Sequence, residues 1–139
     1  MTPVLLDTGA IVALLDRSEA HHEACAHLVR DLSAPLVTCE AVIAEACYLL
    51  RSLRGASQAV LDNVKSGAFV LPFSLRESAD HVRKLMMKYR DVPMDLADAC
   101  LVRLATELDT GEILTLDRDF LVYRWKGRRS FEPLLPLGD

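Results

Sequence analysis

Val4-Leu5-Leu6-Asp7-Thr8 is an apolar run that ends abruptly in a carboxylate and a hydroxyl. Set between Pro3 and Gly9, the run suits a strand buried on both faces of a parallel sheet, where polar alternation disappears. Asp7 then stands at the C-terminal edge of that strand. In open α/β sheets this edge is where ligands bind, so an acid there is a candidate ligand or catalyst. The competing reading makes Asp7 the cap of a helix through Ile11, a role Asp often takes. The choice turns on whether other acids arrive at the same edge.

With 139 residues, 51% of them hydrophobic, the chain has room for one domain with a real core and not for two ordinary ones. A single domain over 1–139 is expected. No apolar run approaches the ~20 residues of a membrane helix, and the N-terminus shows no basic region followed by an apolar segment and a cleavage site. The expectation is a soluble, cytoplasmic protein with no membrane partner. Cys25, Cys39, Cys47 and Cys100 show no C-x-x-C spacing and have Ala, Val and Leu among their neighbours, so they read as small buried hydrophobes. A net charge of -4, from 16 basic and 20 acidic residues, excludes binding nucleic acid by bulk charge but leaves room for a local basic patch.

Outward from the first strand, residues 10–16 read as a short buried helix, and Ser18 opens a second over 19–32 on the repeat Ala24, Leu28, Leu32. His21, His22 and His27 fall there without a metal motif such as H-E-x-x-H, so a packing or solvated role is expected. Residues 35–38 form a strand candidate. Residues 40–51 are apolar nearly all round, which predicts a largely buried helix and makes Glu45 conspicuous. A carboxylate there needs a cation or several donors, and an ion pair with Arg51 or Arg54 is the alternative to a site. A helix capped at Ser57 and stopped by Gly67, a strand over 68–73, and a helix opened by the capping box Ser74-x-x-Glu77 follow. That last helix, running to about Arg90, carries Arg83, Lys84, Lys88 and Arg90, candidates for a basic surface.

A further helix is expected with Pro93 in its first turn, an apolar stripe through Leu96, Cys100, Leu101 and Leu104, and Gly111 as its end. Asp95 and Asp98 share a face near its N-terminus; one can cap, and two are more than capping requires. Residues 112–117 repeat the opening pattern of an apolar strand finishing in an acid, Asp117, with Asp119 two residues on. In the tail, Arg124, Lys126, Arg128 and Arg129 alternate with Tyr123 and Trp125, a mixture that suits a phosphate backbone and stacked bases and is also common in surface loops.

Right-handed βαβ winding puts the C-terminal ends of parallel strands on one rim, where Asp7, Glu45, Asp98 and Asp117 can converge. Carboxylates crowded together raise one another's pKa values unless a cation compensates. Oxygen-only ligation favours Mg²⁺ or Mn²⁺ over Zn²⁺, and such ions hydrolyse phosphodiesters. Thr8 and Thr115 can orient a ligand or water. No G-x-x-x-x-G-K loop and no G-x-S-x-G elbow competes with this reading.

The order Asp7-Thr8, then Glu45 within a helix, then Asp95-Leu96-Ala97-Asp98-Ala99, then Ile113-Leu114-Thr115-Leu116-Asp117 resembles the PIN-domain family, and within it the VapC-like toxins of toxin–antitoxin pairs. The likeness runs from Val4 to about Phe131. It implies a three-layer α/β/α fold with a central, mostly parallel sheet and a Mg²⁺- or Mn²⁺-dependent endoribonuclease that acts as a homodimer inhibited by a VapB-like antitoxin. Asp7, Glu45, Asp98 and Asp117 match the acidic quartet that holds the metal and Thr8 the hydroxyl after the first acid, with Asp95, Thr115 and Asp119 as supporting residues. Whether Asp117 or Asp119 completes the quartet is open, and Asp117 is favoured as the residue that ends the strand. The alternatives are a non-catalytic PIN-fold RNA- or protein-binding module, or a PIN nuclease of RNA processing outside a toxin pair.

Overall fold

The computed structural model describes residues 2–138. In chain order the elements are β1 (Val4–Leu6), α1 (Thr8–Leu15), α2 (His22–Asp31), β2 (Leu36–Val37), α3 (Glu40–Leu49), α4 (Ala56–Ser66), β3 (Phe69–Val70), α5 (Leu75–Lys88), α6 (Leu96–Leu108) and β4 (Glu112–Leu114). A 3₁₀ turn (Arg118–Leu121), β5 (Arg124–Trp125), β6 (Arg129–Ser130) and β7 (Glu132–Pro133) complete it. The main sheet runs β3-β2-β1-β4-β7 with every pairing parallel, and the helices flank it. This is the α/β architecture expected from the apolar runs.

β1 is the central strand, and Leu5 and Leu6 are wholly buried, which is why the run needs no polar alternation. From β1 the chain first builds outward through β2 and β3, then crosses to the other side to lay down β4 and β7. The point of reversal lies between β1 and β4, the crevice where open α/β sheets take ligands. Leu6 pairs with Leu114, so Asp7 and Thr115 leave the sheet side by side. The hydroxyl of Thr38, just past β2, donates to the Leu6 carbonyl at 2.7 Å and ties down the same rim.

Several local expectations are corrected. α2 starts at His22 because Ser18 is used otherwise, its N–H and hydroxyl both donating to Asp16 Oδ1 at 3.0 and 2.7 Å. α4 is capped by Gly55 at φ +79°, while the Ser57 hydroxyl donates to the Cys47 carbonyl. Pro93 lies in the turn before α6, whose N-cap is Asp95. α6 ends on Asp109 in the left-handed region at φ +55°, not on Gly111. Gly111 is required for another reason: a Cβ there would run into the Trp125 indole. α3 is not buried all round. Val42, Ile43 and Ala46 are buried in the core, with Leu50 just past the helix end, Ala41 and Cys47 pack against it half-buried, and Tyr48 and Leu49 are 61% and 53% exposed. Cys25, Cys39 and Cys100 are buried free thiols as expected, and Cys47 is half-buried. The tail is more ordered than a loop, with β5 and β6 forming a hairpin and β7 adding the fifth strand of the sheet.

Candidate active site

Asp7 satisfies both readings of its position. Its Oδ1 accepts the Thr8 N–H at 2.8 Å and caps α1, and its Oδ2 accepts the Thr115 hydroxyl at 2.6 Å. The residue is 5% exposed. Burial pushes its carboxyl up from 3.8 to about 6; the bonds from Thr115 and Thr8 oppose the rise, and the charges of Asp117 and Glu45 add to it.

Thr115, not Asp117, occupies the position beside Asp7, because β4 ends at Leu114. The repeated pattern of a strand finishing in an acid is therefore correct in outline and two residues out in register. Asp117 is brought to the rim by a second device: its N–H donates to Thr115 Oγ1 at 3.0 Å, and its Oδ1 accepts the Asp119 N–H at 2.9 Å to cap the 3₁₀ turn.

Asp98 comes from the first turn of α6 and is 8% exposed. Asp95 caps that helix by accepting the Asp98 N–H at 2.9 Å. Tyr123 donates its hydroxyl to Asp98 Oδ2 at 3.1 Å. Burial first, then the neighbouring charges of Asp95 and Asp7, push the Asp98 carboxyl up to about 8, against the pull of the Tyr123 bond. The Tyr123 phenol is itself pushed far up by burial and by Asp98, so it stays protonated and remains a donor.

These residues meet. Asp7, Glu45, Asp95, Asp98 and Asp117 line one cavity of about 250 Å³ together with Thr8, and Leu49 and Leu116 form its apolar part. No Lys or Arg lines it. The ion pairs found among the described residues, Arg83–Asp80, Arg103–Glu107 and Lys126–Asp109, all involve other acids. Arg51 is engaged elsewhere, donating to the Tyr48 carbonyl and lying over the Tyr48 ring. Thr8 Oγ1 is buried and meets no hydrogen-bond partner, an orphan polar atom beside the acids. No three His, Cys, Asp or Glu side chains among the described residues already stand close enough together to hold an ion.

The PIN domain family matches residues 4–126. The chain belongs to the PIN-domain family. Ribonuclease VapC26 of Mycobacterium tuberculosis is 32% identical over 137 residues, covering 97% of this chain and 94% of that protein. The crystal structure of VapC20 from Mycobacterium tuberculosis, described as a Sarcin-Ricin loop cleaving toxin, superposes with a TM-score of 0.76 at 16% identity, covering 84% of this chain and 91% of that one. At that identity the likeness is one of fold, and it confirms the PIN arrangement of helices about a parallel sheet.

Within the PIN fold the remaining candidates separate. Asp119 does not line the cavity; its carboxyl is raised by burial and by the charges of Asp117 and Asp95. The aromatic residues of the tail are not available for stacking on bases, since Tyr123 is fully buried and Trp125 is 6% exposed. They serve the core because the tail folds back over α6 as a hairpin. Arg124 donates to the carbonyls of Leu121, Val122 and Tyr123, Lys126 pairs with Asp109, and Arg128 and Arg129 are exposed. His22 Nδ1 lies 2.7 Å from the Ala13 carbonyl, the packing role expected of it. Sequence reasoning missed the contact of Tyr123 with Asp98. Nothing local marks it, because the partners are 25 residues apart and are joined only by the fold.

Proposed function

We propose that this PIN-domain protein is a divalent-metal-dependent endoribonuclease, acting as a single domain over 1–139 and as the toxin of a toxin–antitoxin pair. The observation that carries the reading is an open pocket at the switch point of a parallel sheet, lined by five carboxylates, Asp7 and Asp98 buried among them, with no basic side chain. The names of its relatives, Ribonuclease VapC26 and a Sarcin-Ricin loop cleaving toxin, support RNA as the substrate. The same kinship supports a VapB-like antitoxin as partner, and a homodimer in a cytoplasmic setting is part of the proposal. No helix among the described residues is long and apolar enough to cross a membrane.

The donor set fits Mg²⁺ or Mn²⁺. All its donors are oxygens, and burial raises Asp7 to about 6 and Asp98 to about 8, so a cation would favour the ionised form that both need as ligands. Mg²⁺ keeps several waters and takes only one or two carboxylates directly, so it does not require a closed cage of side chains. Asp7, Glu45, Asp98 and Asp117 are the residues that would hold it. When bound, the ion supplies a nucleophile at neutral pH and charge stabilisation at the phosphate. The chain's own part is orientation. Thr115 fixes one Asp7 oxygen, Tyr123 fixes one Asp98 oxygen, and the free hydroxyl of Thr8 can position a water or phosphate oxygen in the pocket.

Purified protein incubated with total RNA tests this, with Mg²⁺, with Mn²⁺ and with EDTA, followed by mapping of the cut ends. Discrete cuts that vanish in EDTA are expected. Intact RNA in every divalent metal, or equal cutting in EDTA, would overturn the proposal.

A further inference from the structure

One face of the molecule has no share in the acid pocket. His81, Lys84 and Lys88 of α5, Arg103 of α6, and Arg124 and Lys126 of the β5–β6 hairpin line a groove of about 330 Å³, and no acid lines it with them. The three α5 residues fall at i, i+3 and i+7, one face of the helix. Arg83 and Arg90, the other members of the basic set expected on α5, lie instead beside Met86 and Met87 at a separate apolar hollow.

The cations are incompletely neutralised. Arg103 pairs with Glu107 and Lys126 with Asp109, whereas Lys84 and Lys88 meet no carboxylate among the described residues. Arg124 is held by the carbonyls of three neighbours, which fix its guanidinium without cancelling its charge. The hairpin is anchored as a wall of the groove. Lys126 and Gly127 sit at φ +48° and +78°, the Arg128 N–H donates to the Trp125 carbonyl, and the Lys126 N–H donates to Thr106 Oγ1 at 2.9 Å.

The groove also has a fixed relation to the acid pocket. On α6, Asp98, Val102 and Thr106 recur every four residues along one face, and the last two belong to the groove. They lie about 6 and 12 Å beyond Asp98 along the helix axis. The hairpin makes the same connection: Tyr123 donates to Asp98, and the next residue, Arg124, lines the groove. A protein of net charge -4 with an acidic pocket repels a polyanion, so a local set of cations that no acid lines, in a groove sharing α6 and the hairpin with that pocket, is where such a chain is drawn in.

We propose that this groove binds the phosphodiester backbone of single-stranded RNA and holds the strand flanking the bond to be cut. This rests on the nuclease reading for its biological sense, but its test does not. The probe is a fluorescein-labelled oligouridylate of about 12 nucleotides, a length within single-strand site sizes. Its binding is followed by anisotropy in EDTA across a salt series. Lys84→Gln/Lys88→Gln removes two exposed charges; Arg17→Gln/Arg30→Gln removes two exposed charges elsewhere and controls for net charge.

The groove variant is expected to bind roughly tenfold more weakly, with its log K against log salt slope shallower by about 1.4, the contribution of two phosphate contacts on a single strand. The control pair is expected to leave the slope unchanged. An unchanged slope in the groove variant, or an equal fall in the control, would overturn the proposal. Tighter binding of oligodeoxythymidylate than of oligouridylate would remove RNA as the source of the backbone. Preferential binding of oligoglutamate at matched charge would give the groove to an acidic protein. Failure of the wild-type protein to cut RNA with Mg²⁺ would count against the nuclease reading alone and leave this titration in force.

Discussion

Asp7→Asn is expected to make the metal-free protein more stable while abolishing cleavage. Burial raises the Asp7 carboxyl from 3.8 to about 6, so keeping it ionised costs about 3 kcal/mol more in the folded protein than in the unfolded chain. Because the folded value is the higher one, the stability linked to this group is complete below pH 3.8 and is lost as the pH rises through about 6. Asn has no charge to bury. Its amide nitrogen replaces one acceptor, however, and so gives up either the Thr8 N–H or the Thr115 hydroxyl, a loss of about 1 kcal/mol. The net gain is about 2 kcal/mol at about pH 7.5, or roughly 5 °C in Tm. Near pH 4 the charge penalty shrinks to about 0.5 kcal/mol while the lost bond remains, so the variant should be about 0.5 kcal/mol less stable than wild type. Thermal unfolding followed by circular dichroism in EDTA at the two pH values measures this. Adding Mn²⁺ at neutral pH should then stabilise the wild type by about 2.7 kcal/mol at 100 times its Kd, seen as a higher Tm, and move the variant little. A variant less stable than wild type at neutral pH in EDTA, or one equally stabilised at both pH values, would refute the argument that Asp7 is a buried charge awaiting a cation.

Thr115→Val keeps the side-chain shape but removes the donor to Asp7 and the acceptor of the Asp117 N–H, and should cost about 1.5–3 kcal/mol at neutral pH, read from urea midpoints. Tyr123→Phe deletes the bond that favours ionised Asp98. The acidic limb of the kcat/KM profile for RNA cleavage should move to higher pH, and an unmoved limb would show that the phenol does not tune that carboxyl. Gly111→Ala places a methyl group against the Trp125 indole and should lower stability by about 1–3 kcal/mol. Gly138→Ala meets open space and should leave the Tm where it is.

Much of the fold was legible because it depends on which side chains must leave water. The run at Val4 to Leu6 needed two-sided burial and became the central strand; Ser74 capped α5 as its spacing to Glu77 required, and Gly67 closed α4 in the left-handed region. Periodicity reports less well where composition and environment part. The apolar residues of α3 suggested burial all round, yet Tyr48 and Leu49 are left exposed, Leu49 beside the pocket. The basic and aromatic tail looked suited to stacking on bases, but its rings are used as core.

By itself the sequence determined the first four strands, the helices and the order in which acids occur along the chain, since burial and capping are local demands that residue types and their spacing express; the three tail strands were not legible in it. Only the tertiary structure decided that β1 lies beside β4, that Thr115 rather than Asp117 therefore stands next to Asp7, and that Tyr123 reaches Asp98. Those bonds span 108 and 25 residues. Many strand orders would bury the same apolar runs equally well, so the neighbour each acid meets is chosen by topology and register and not by the residues around it.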